Sequence, residues 1–348
     1  MLAVENLSLR LGNFALQNVD FAVDPGEYFV VLGLSGVGKS VLLEVIAGLL
    51  PPDAGTIRLR GREITADRIQ RRNLSIVYQE GGLFPHLTVF ENIAYPLRCR
   101  RQRRVGTAVR EAAEQTGIAD KLERRPHTLS GGECQRAALA RSLAAGSDLF
   151  LLDEPLSALD AKSKIELRSL LRKLNRQGIT IVHVTHDYEE AISLATRIGI
   201  MENGTMAHVG PPAEVFQRPK SEFIARFVGI RNYLKGEVRQ IPGSDLKYFI
   251  CGEIKVFCLT AVPDGAAYLI VRPDEISIAN SLEGSSSRNH FQGRIVDIAA
   301  ARLGVEVTVD VGIAMVATIS ADALCALQLE IGREVWVSFK ASSCRVYS

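Results

Sequence analysis

The chain has 348 residues, 47% of them hydrophobic and 23% charged, with a formal net charge of +2. That length allows two or three domains with a sizeable core, and the near-neutral balance gives no bulk electrostatic support to a nucleic-acid partner. Six scattered cysteines (Cys99, Cys134, Cys251, Cys258, Cys325 and Cys344) form no CxxC pair and have no histidines at zinc spacing, so reduced thiols of a cytosolic protein are expected. The opening stretch lacks a basic-then-apolar signal peptide, and no apolar run approaches the ~18 residues of a spanning helix.

Strand-like runs and helical stretches alternate through the first two-thirds. EYFVVLG (27–33) is an expected strand, and GLSGVGKS (33–40) follows it and opens an expected helix, SVLLEVIAGLL. The segment fits G-x-x-x-x-G-K-[ST] in the strand–loop–helix setting that motif requires. Its glycines let backbone N–H groups curl round phosphate oxygens. Lys39 brings a point charge to the β- and γ-phosphates, and Ser40 a hydroxyl ligand for Mg2+. Further strands are expected at LSIVYQ (74–79), DLFLLDE (148–154), TIVHVTH (180–186) and RIGIMENG (197–204), with a helix at IELRSLLRKLNRQG. Strand–helix–strand alternation predicts a mostly parallel sheet covered on both faces. A largely helical insert, about 85–145, interrupts it. Inside the insert, the basic run Arg98 to Gly106 reads as a solvated helix face, with a phosphate- or lipid-binding patch as the alternative.

A buried parallel strand delivers its last residues to the ligand crevice. At the end of LFLLDEP, Asp153 can hold the Mg2+ and Glu154 can polarise a water attacking the γ-phosphate. HTLSGGECQRAALARSLA (127–144) offers a second cradle, because Ser130, Gly131 and Gly132 stand before an amphipathic helix whose free N–H groups favour an anion. An ordinary Ser/Gly helix start has the same spelling. His186 ends a strand in the same crevice.

From residue 233 onward short alternating strands with Gly, Pro and Ser turns predict an all-β tail, its boundary near Gly229 to Tyr233. RNYLKGEV (231–238) matches RNHFQGRI (288–295) at Arg, Asn, Gly and the apolar positions, and AYLIVRPDEISI is echoed by EVWVSFKASSCRVY. Two small barrel-like repeats are therefore expected. SSSRN (Ser285 to Asn289) and FKASS (with Lys340, Ser342 and Ser343) hold hydroxyls and two cations but no carboxylate. If the first and last strands of the second repeat lie side by side, these stretches meet as donors for a small tetrahedral dianion. A Ser-rich linker followed by a strand with a solvated lysine is the other reading.

The phosphate loop, VYQEGGLFP with Gln79, LSGGE, LLDEP, SALD and HVTHD stand in the order typical of ATP-binding-cassette (ABC) ATPases, which residues 1–230 resemble. The resemblance implies an α/β P-loop ABC ATPase domain, a parallel-sheet core plus a helical subdomain, working as a head-to-tail homodimer with two sandwiched ATP molecules. By that resemblance each ATP is held by Gly33, Leu34, Ser35, Gly36, Val37, Gly38, Lys39 and Ser40 of one subunit and by Ser130, Gly131 and Gly132 of the other. Ser40, Gln79 and Asp153 would hold Mg2+, with Gln79 also on the attacking water. Glu154 and His186 would serve catalysis, His186 touching the γ-phosphate, and Asp160 would bridge the subunits. Phe14 is the aromatic at hand for stacking on adenine, at a spacing shorter than is usual in the family, and Leu34 stands where a proline is usual.

SSRN…G…V followed by FKASS resembles the molybdate/tungstate-binding, Mop-like domain of molybdenum importer ATPases. It implies an OB-like all-β regulatory domain of two repeats over 231–348, with an oxyanion set of Ser286, Ser287, Arg288, Asn289, Lys340, Ser342 and Ser343. Asp274 stands in the first repeat where the second has FKASSCR, and an acid there would repel a dianion, so only the second repeat is expected to bind. The cassette is not fused to a membrane domain, and GGLFPHLTVFENIAYPLR (81–98) resembles the importer surface that receives a helix of the transmembrane permease, docking near 80–97 on exposed Leu83, Phe84 and Leu87. The expectation is the ATPase of a molybdate/tungstate importer, using ATP and Mg2+, with the imported oxyanion as regulatory ligand. Its partners would be the permease and an external substrate-binding protein, with no nucleic acid, and its place peripheral, at the cytoplasmic face of the cell membrane. An importer for another anion or a sugar with a purely structural tail is the alternative, followed by a soluble non-transport ABC ATPase.

Overall fold

The computed structural model describes residues 1–217, 224–225, 230–282, 286–301 and 304–347. It falls into two compact units, Met1–Gln217 and Arg218–Ser348. The boundary expected at 230/231 adjoins residues 226–229, which lie outside the described residues.

In the first unit, β1 (Leu2–Leu11), β2 (Phe14–Val23), β4 (Ala54–Leu59) and β5 (Arg62–Glu63) form an antiparallel sheet in the order β2-β1-β4-β5. The second sheet holds β3 (Tyr28–Leu32), β6 (Leu74–Val77), β7 (Leu149–Asp153), β8 (Thr180–Thr185), β9 (Arg197–Glu202) and β10 (Thr205–Gly210) in the order β10-β9-β3-β8-β7-β6. Its five strands from β9 to β6 are parallel, and β10 adds an antiparallel edge. Each of the five expected strands is one of these parallel strands. The antiparallel sheet was not foreseen.

Helix α1 (Lys39–Ala47) starts directly from the phosphate loop, and its buried Leu42, Leu43 and Ile46 join the apolar faces of both sheets in one core. Its far end is closed by Gly48 in the left-handed region (φ 84°). There the buried Arg72 guanidinium donates to the carbonyls of Val45, Ile46, Thr65 and Asp67 at 2.7–2.9 Å. The helical insert consists of α2 (Val89–Cys99), α3 (Val105–Thr116) and α4 (Gly131–Ala144) around Val89, Ile93, Leu97, Val109 and alanines of α4. Two expectations fail here. The basic run Arg98–Gly106 is not a helix face: α2 ends inside it, Arg101 turns at φ 53°, and α3 begins at Val105. Leu83, Phe84 and Leu87 are half-buried rather than exposed: Leu83 packs on the helical core, and the Phe84 ring lies tilted against Tyr95, centroids 4.7 Å apart. α5 (Ala161–Arg176), α6 (Tyr188–Leu194) and α7 (Pro212–Gln217) complete the unit.

The second unit is two antiparallel sheets over one core. The first repeat supplies β11 (Asn232–Gln240), β12 (Lys247–Cys251), β13 (Ile254–Cys258), β14 (Gly265–Val271) and β15 (Ser277–Ala279). The second supplies β16 (Asn289–Ala301), β17 (Gly304–Asp310), β18 (Ala314–Ile319), helix α8 (Ala321–Ala326), β19 (Glu334–Phe339) and β20 (Arg345–Tyr347). The sheet orders are β13-β12-β11-β14-β20 and β15-β19-β16-β17-β18. The repeats are therefore not independent barrels: each sends its last short strand into the other's sheet, and Leu269, Val271, Val309, Val337 and Phe339 share one core.

The invariant letters of the repeat explain the join. Asn232 and Asn289 are buried, and each caps the open edge strand of the opposite repeat. Asn289 accepts from Phe257 N–H (2.7 Å) and donates to its carbonyl (2.9 Å), while Asn232 accepts from Val316 N–H (2.7 Å) and donates to its carbonyl (2.8 Å). A side-chain amide thus stands in for a missing neighbour strand.

Candidate functional site

Strand β3 is buried at every position and runs straight into the loop Gly33–Gly38, where Gly36 (φ 85°) and Gly38 (φ 100°) take backbone conformations that L side chains rarely adopt. Gly38 has a second reason to lack a side chain, since a Cβ there would lie 2.1 Å from Phe14 Cζ. The loop opens a cavity of about 300 Å³ lined by Phe14, Ser35, Gly36, Gly38, Lys39, Ser40, Val41, Gln79, Asp153 and Glu154. All but Val41 were singled out in the sequence. Gly33 and Leu34 contribute carbonyls that accept from Lys39 Nζ at 3.0 and 2.9 Å, and Val37 packs on the core.

Asp153 closes β7, whose neighbours β6 and β8 are parallel to it, and Glu154 follows directly. The Ser40 hydroxyl donates to Asp153 Oδ1 at 2.9 Å. Glu154 holds a left-handed backbone (φ 44°), fixed by its N–H to Val184 O at 3.0 Å. Such strain in a non-glycine residue persists only where surrounding contacts over-determine it. Glu154 Oε1 lies 3.0 Å from His186 Nδ1 and 3.8 Å from Lys39 Nζ. Burial pulls the Lys39 ammonium below its usual range, against the pull of Glu154 and Asp153. Burial pushes the Asp153 carboxyl up, against the Ser40 hydrogen bond. A hydroxyl, a carboxylate and the Gln79 amide beside a phosphate loop are hard oxygen donors, too few to cage an ion alone. That suits Mg2+, which completes its octahedron with substrate phosphates and water.

Two residues that sequence reading passed over hold the Gln79 segment. Gln135 Nε2 donates to the carbonyls of Tyr78 (3.0 Å) and Gln79 (2.5 Å), and Arg141 Nη2 donates to Gly82 O at 2.9 Å. Both lie on α4, where Gln135 is a buried polar position on an alanine-rich face and Arg141 is half-buried.

The second predicted cradle is not in the phosphate-loop cavity. Ser130 caps α4, accepting from Glu133 N–H (3.3 Å) while Glu133 accepts from Ser130 N–H (2.8 Å). Gly132 packs on Ser163, where a Cβ would come within 3.3 Å. Asp160 caps α5 from the same neighbourhood, and its hydrogen bonds from Ser163 hold its carboxyl below the usual range. Ser130, Gly132 and Asp160 thus stand apart from the residues that line the phosphate-loop cavity of the same chain.

In the second unit β16 pairs antiparallel with β19 from Asn289↔Phe339 onward, so Arg288 and Lys340 stand at adjacent strand ends. Both are exposed, and among the described residues neither makes an ion pair. Ser286 and Ser342 are exposed and Ser343 half-buried. Ser287 is half-buried, its carbonyl accepting from His290 Nε2 at 2.6 Å. Asn289 departs from its expected role: its side chain is committed to Phe257 inside the unit, so it shapes the turn rather than offering an amide to an anion. Ser285 lies outside the described residues. In the first repeat, Arg272 forks onto Asp274 at 2.9 and 2.7 Å where the second repeat has Lys340 and Ser342. All six cysteines are free. Among the described residues no helix is long and apolar enough to cross a membrane.

A phosphate loop between a parallel strand and α1, with a carboxylate pair at the end of a neighbouring parallel strand, defines a P-loop nucleoside triphosphatase. The family model described as ABC transporter matches residues 16–157, and the TOBE domain model matches 285–346. The molybdate/tungstate import ATP-binding protein of Pyrococcus horikoshii is 41% identical over 353 residues, covering 100% of both chains. A sulfate/thiosulfate import ATP-binding protein of Chromobacterium violaceum is 42% identical over 304 residues, 86% of this chain and 81% of that one. The solved ATP-binding cassette MJ0796, a dimer in a post-hydrolysis state bound to ADP and Pi, aligns with TM-score 0.55 at 29% identity over 61% of this chain and 99% of that one. This chain belongs to the ABC transporter ATP-binding proteins and is an ATPase.

Proposed function

We propose that the chain is the ATP-hydrolysing subunit of a molybdate or tungstate importer, and that its C-terminal unit senses the imported oxyanion. The observation that carries this reading is the β16–β19 pairing, which brings two cations and several hydroxyls to neighbouring strand ends. Charge-assisted donors of that kind suit a tetrahedral dianion. The match to the P. horikoshii import protein runs through the tail as well as the cassette, which favours the same substrate class. The sulfate/thiosulfate relative favours the alternative of another tetrahedral anion.

At the nucleotide site the backbone N–H groups of the phosphate loop and Lys39 would hold the β- and γ-phosphates, with Phe14 against the base. Ser40, Asp153 and Gln79 would hold Mg2+, which when bound neutralises charge on the phosphate oxygens. Glu154 would accept a proton from the water whose oxygen bonds to the γ-phosphorus as the bond to the bridging oxygen breaks. His186 would orient Glu154 and reach the γ-phosphate. Two copies facing head to tail would complete each site, the Ser130–Gly132 helix start and Asp160 of one closing the loop of the other. A permease would dock near 80–97, beside Phe84 and the exposed Tyr95, holding the chain at the cytoplasmic face of the membrane. Oxyanion bound in the tail would disfavour closure of the ATPase dimer, a reciprocal coupling of two sites.

Calorimetry of the purified chain with molybdate, tungstate and sulfate tests the substrate class. Binding of molybdate or tungstate with no sulfate binding is expected; equal sulfate binding, or none of the three, overturns it. ATPase activity of the assembled transporter should fall as molybdate or tungstate rises. Glu154→Gln should stop hydrolysis while ATP still binds.

A further inference from the structure

Behind His186 lies a buried polar chain that the reaction as described does not use. Strand β8 is buried throughout and presents His183 and Thr185 on one face. Tyr28 Oη and His183 Nδ1 are 3.0 Å apart, and His183 Nε2 stands 3.6 Å from Glu190 Oε2. Glu190 is 2% exposed. The Thr185 hydroxyl donates to Glu190 Oε2 at 2.8 Å and accepts from Asp187 N–H at 3.0 Å. Asp187 in turn accepts from Glu189 N–H (2.8 Å) and Glu190 N–H (3.2 Å) at the start of α6.

A hydroxyl has one proton. Because the Glu190 carboxylate takes it, the oxygen lone pairs are left for Asp187 N–H. That N–H follows the peptide of His186, so the Thr185 hydroxyl spans the residue whose ring lies against Glu154. His186 itself is about half exposed (48%), and its ring contact is with Glu154. Glu190 is buried and is not among the residues that line the phosphate-loop cavity. Its carboxylate faces Thr185 and His183 from β8, and Arg168 and Lys164 act on it from α5. Fixing a catalytic group to within a fraction of an ångström is a recognised source of rate.

We infer that Glu190, acting through the Thr185 hydroxyl, is a positioning residue for His186. This rests on the role proposed for His186 in hydrolysis. The test is steady-state ATP hydrolysis and equilibrium binding of a fluorescent ATP analogue on the purified full-length chain, for Thr185→Val, Thr185→Ser and His186→Ala. Thr185→Val keeps the shape and deletes the hydroxyl; kcat should fall about tenfold while KM and nucleotide binding stay within about twofold. Thr185→Ser should restore kcat. Should Thr185→Val fail to fold, Glu190→Leu against Glu190→Gln reads the same bond from its other end, because the Gln amide oxygen still accepts the Thr185 proton. Glu190→Leu should be slow and Glu190→Gln close to wild type. Full activity of Thr185→Val or Glu190→Leu beside an inactive His186→Ala refutes the positioning role, as does a Thr185→Ser variant as slow as Thr185→Val. An active His186→Ala refutes instead the reading on which it rests.

Discussion

Asn289→Ala separates a structural amide from a ligand. The substitution removes the partner of Phe257 N–H and leaves Phe257 C=O only the weak Cys344 thiol donor at 3.5 Å; both groups sit on β13, the open edge of its sheet. An unsatisfied buried backbone group costs about 1–3 kcal/mol, so orphaning the N–H and leaving the carbonyl only the weak thiol donor costs roughly 2–5 kcal/mol, less whatever water recovers at the edge. With a urea m-value of about 2 kcal/mol/M, a mid-range loss of about 3 kcal/mol moves the unfolding midpoint of this unit down by roughly 1–2 M. The chain has a single tryptophan, Trp336, in β19, so its intrinsic fluorescence follows the second unit without interference from the first. Asn232→Ala should shift the same transition by a similar amount, since it frees Val316 on the other edge. Arg288→Ala should leave the unfolding free energy within about 0.5 kcal/mol of wild type, as expected for an exposed side chain. An Asn289→Ala variant with an unchanged midpoint that no longer bound oxyanion would refute the structural assignment and return Asn289 to the anion site.

Gly38→Ala should weaken ATP binding at least about tenfold, since the new Cβ meets Phe14 and the backbone at φ 100° disfavours any side chain. Phe14→Ala in the same chain should not restore it, which equilibrium nucleotide titration will show. Arg72→Met should lower the melting temperature of the cassette through a loss of about 3 kcal/mol, because the carbonyls of Val45 and Ile46 at the end of α1, and of Thr65 and Asp67 in the segment after β5, lose their donor. Gly48→Ala should act in the same direction, as its Cβ would lie 2.5 Å from Arg72 Nε. Burial lowers His183 to about 3, so between that value and ~6.5 the unfolded chain takes up a proton that the folded one refuses. Cassette stability should therefore fall as pH drops below ~6.5, by about 2 kcal/mol at pH 5, and thermal melts of His183→Gln should show a flatter dependence. Parallel pH dependences would show that another group carries the effect.

The cassette core was legible because its strands are short, apolar and followed at once by motif residues, so EYFVVLG and LFLLDE placed the loop and the carboxylates together. The antiparallel sheet was not, although β1 and β2 do alternate. In β1 the buried positions run Leu2, Val4, then Leu7 and Leu9, and in β2 Leu16, then Val19, Phe21 and Val23. Asn6 (φ 49°) and Asn18 (φ 45°) sit at the phase breaks, beside register shifts that move each strand by one residue and hide the period of two. Asn289 was read as a ligand because its letters match an anion motif, and spelling does not say which way a strand's first side chain points. Gln135, Arg141 and Glu190 were missed because residues that hold a reactive segment through its backbone leave no pattern of their own.

The exchange of β15 and β20 bears on how such a unit could arise and come apart. A lone repeat would expose the sheet edge its twin now covers and leave its own last strand without a sheet. Two lone repeats could bury both against one another as a swapped dimer, the same pairing that one chain makes within itself. For the same reason a nick in the segment joining the repeats, between Ala279 and Asn289, should leave the two pieces associated, whereas a chain ending there should not hold its fold.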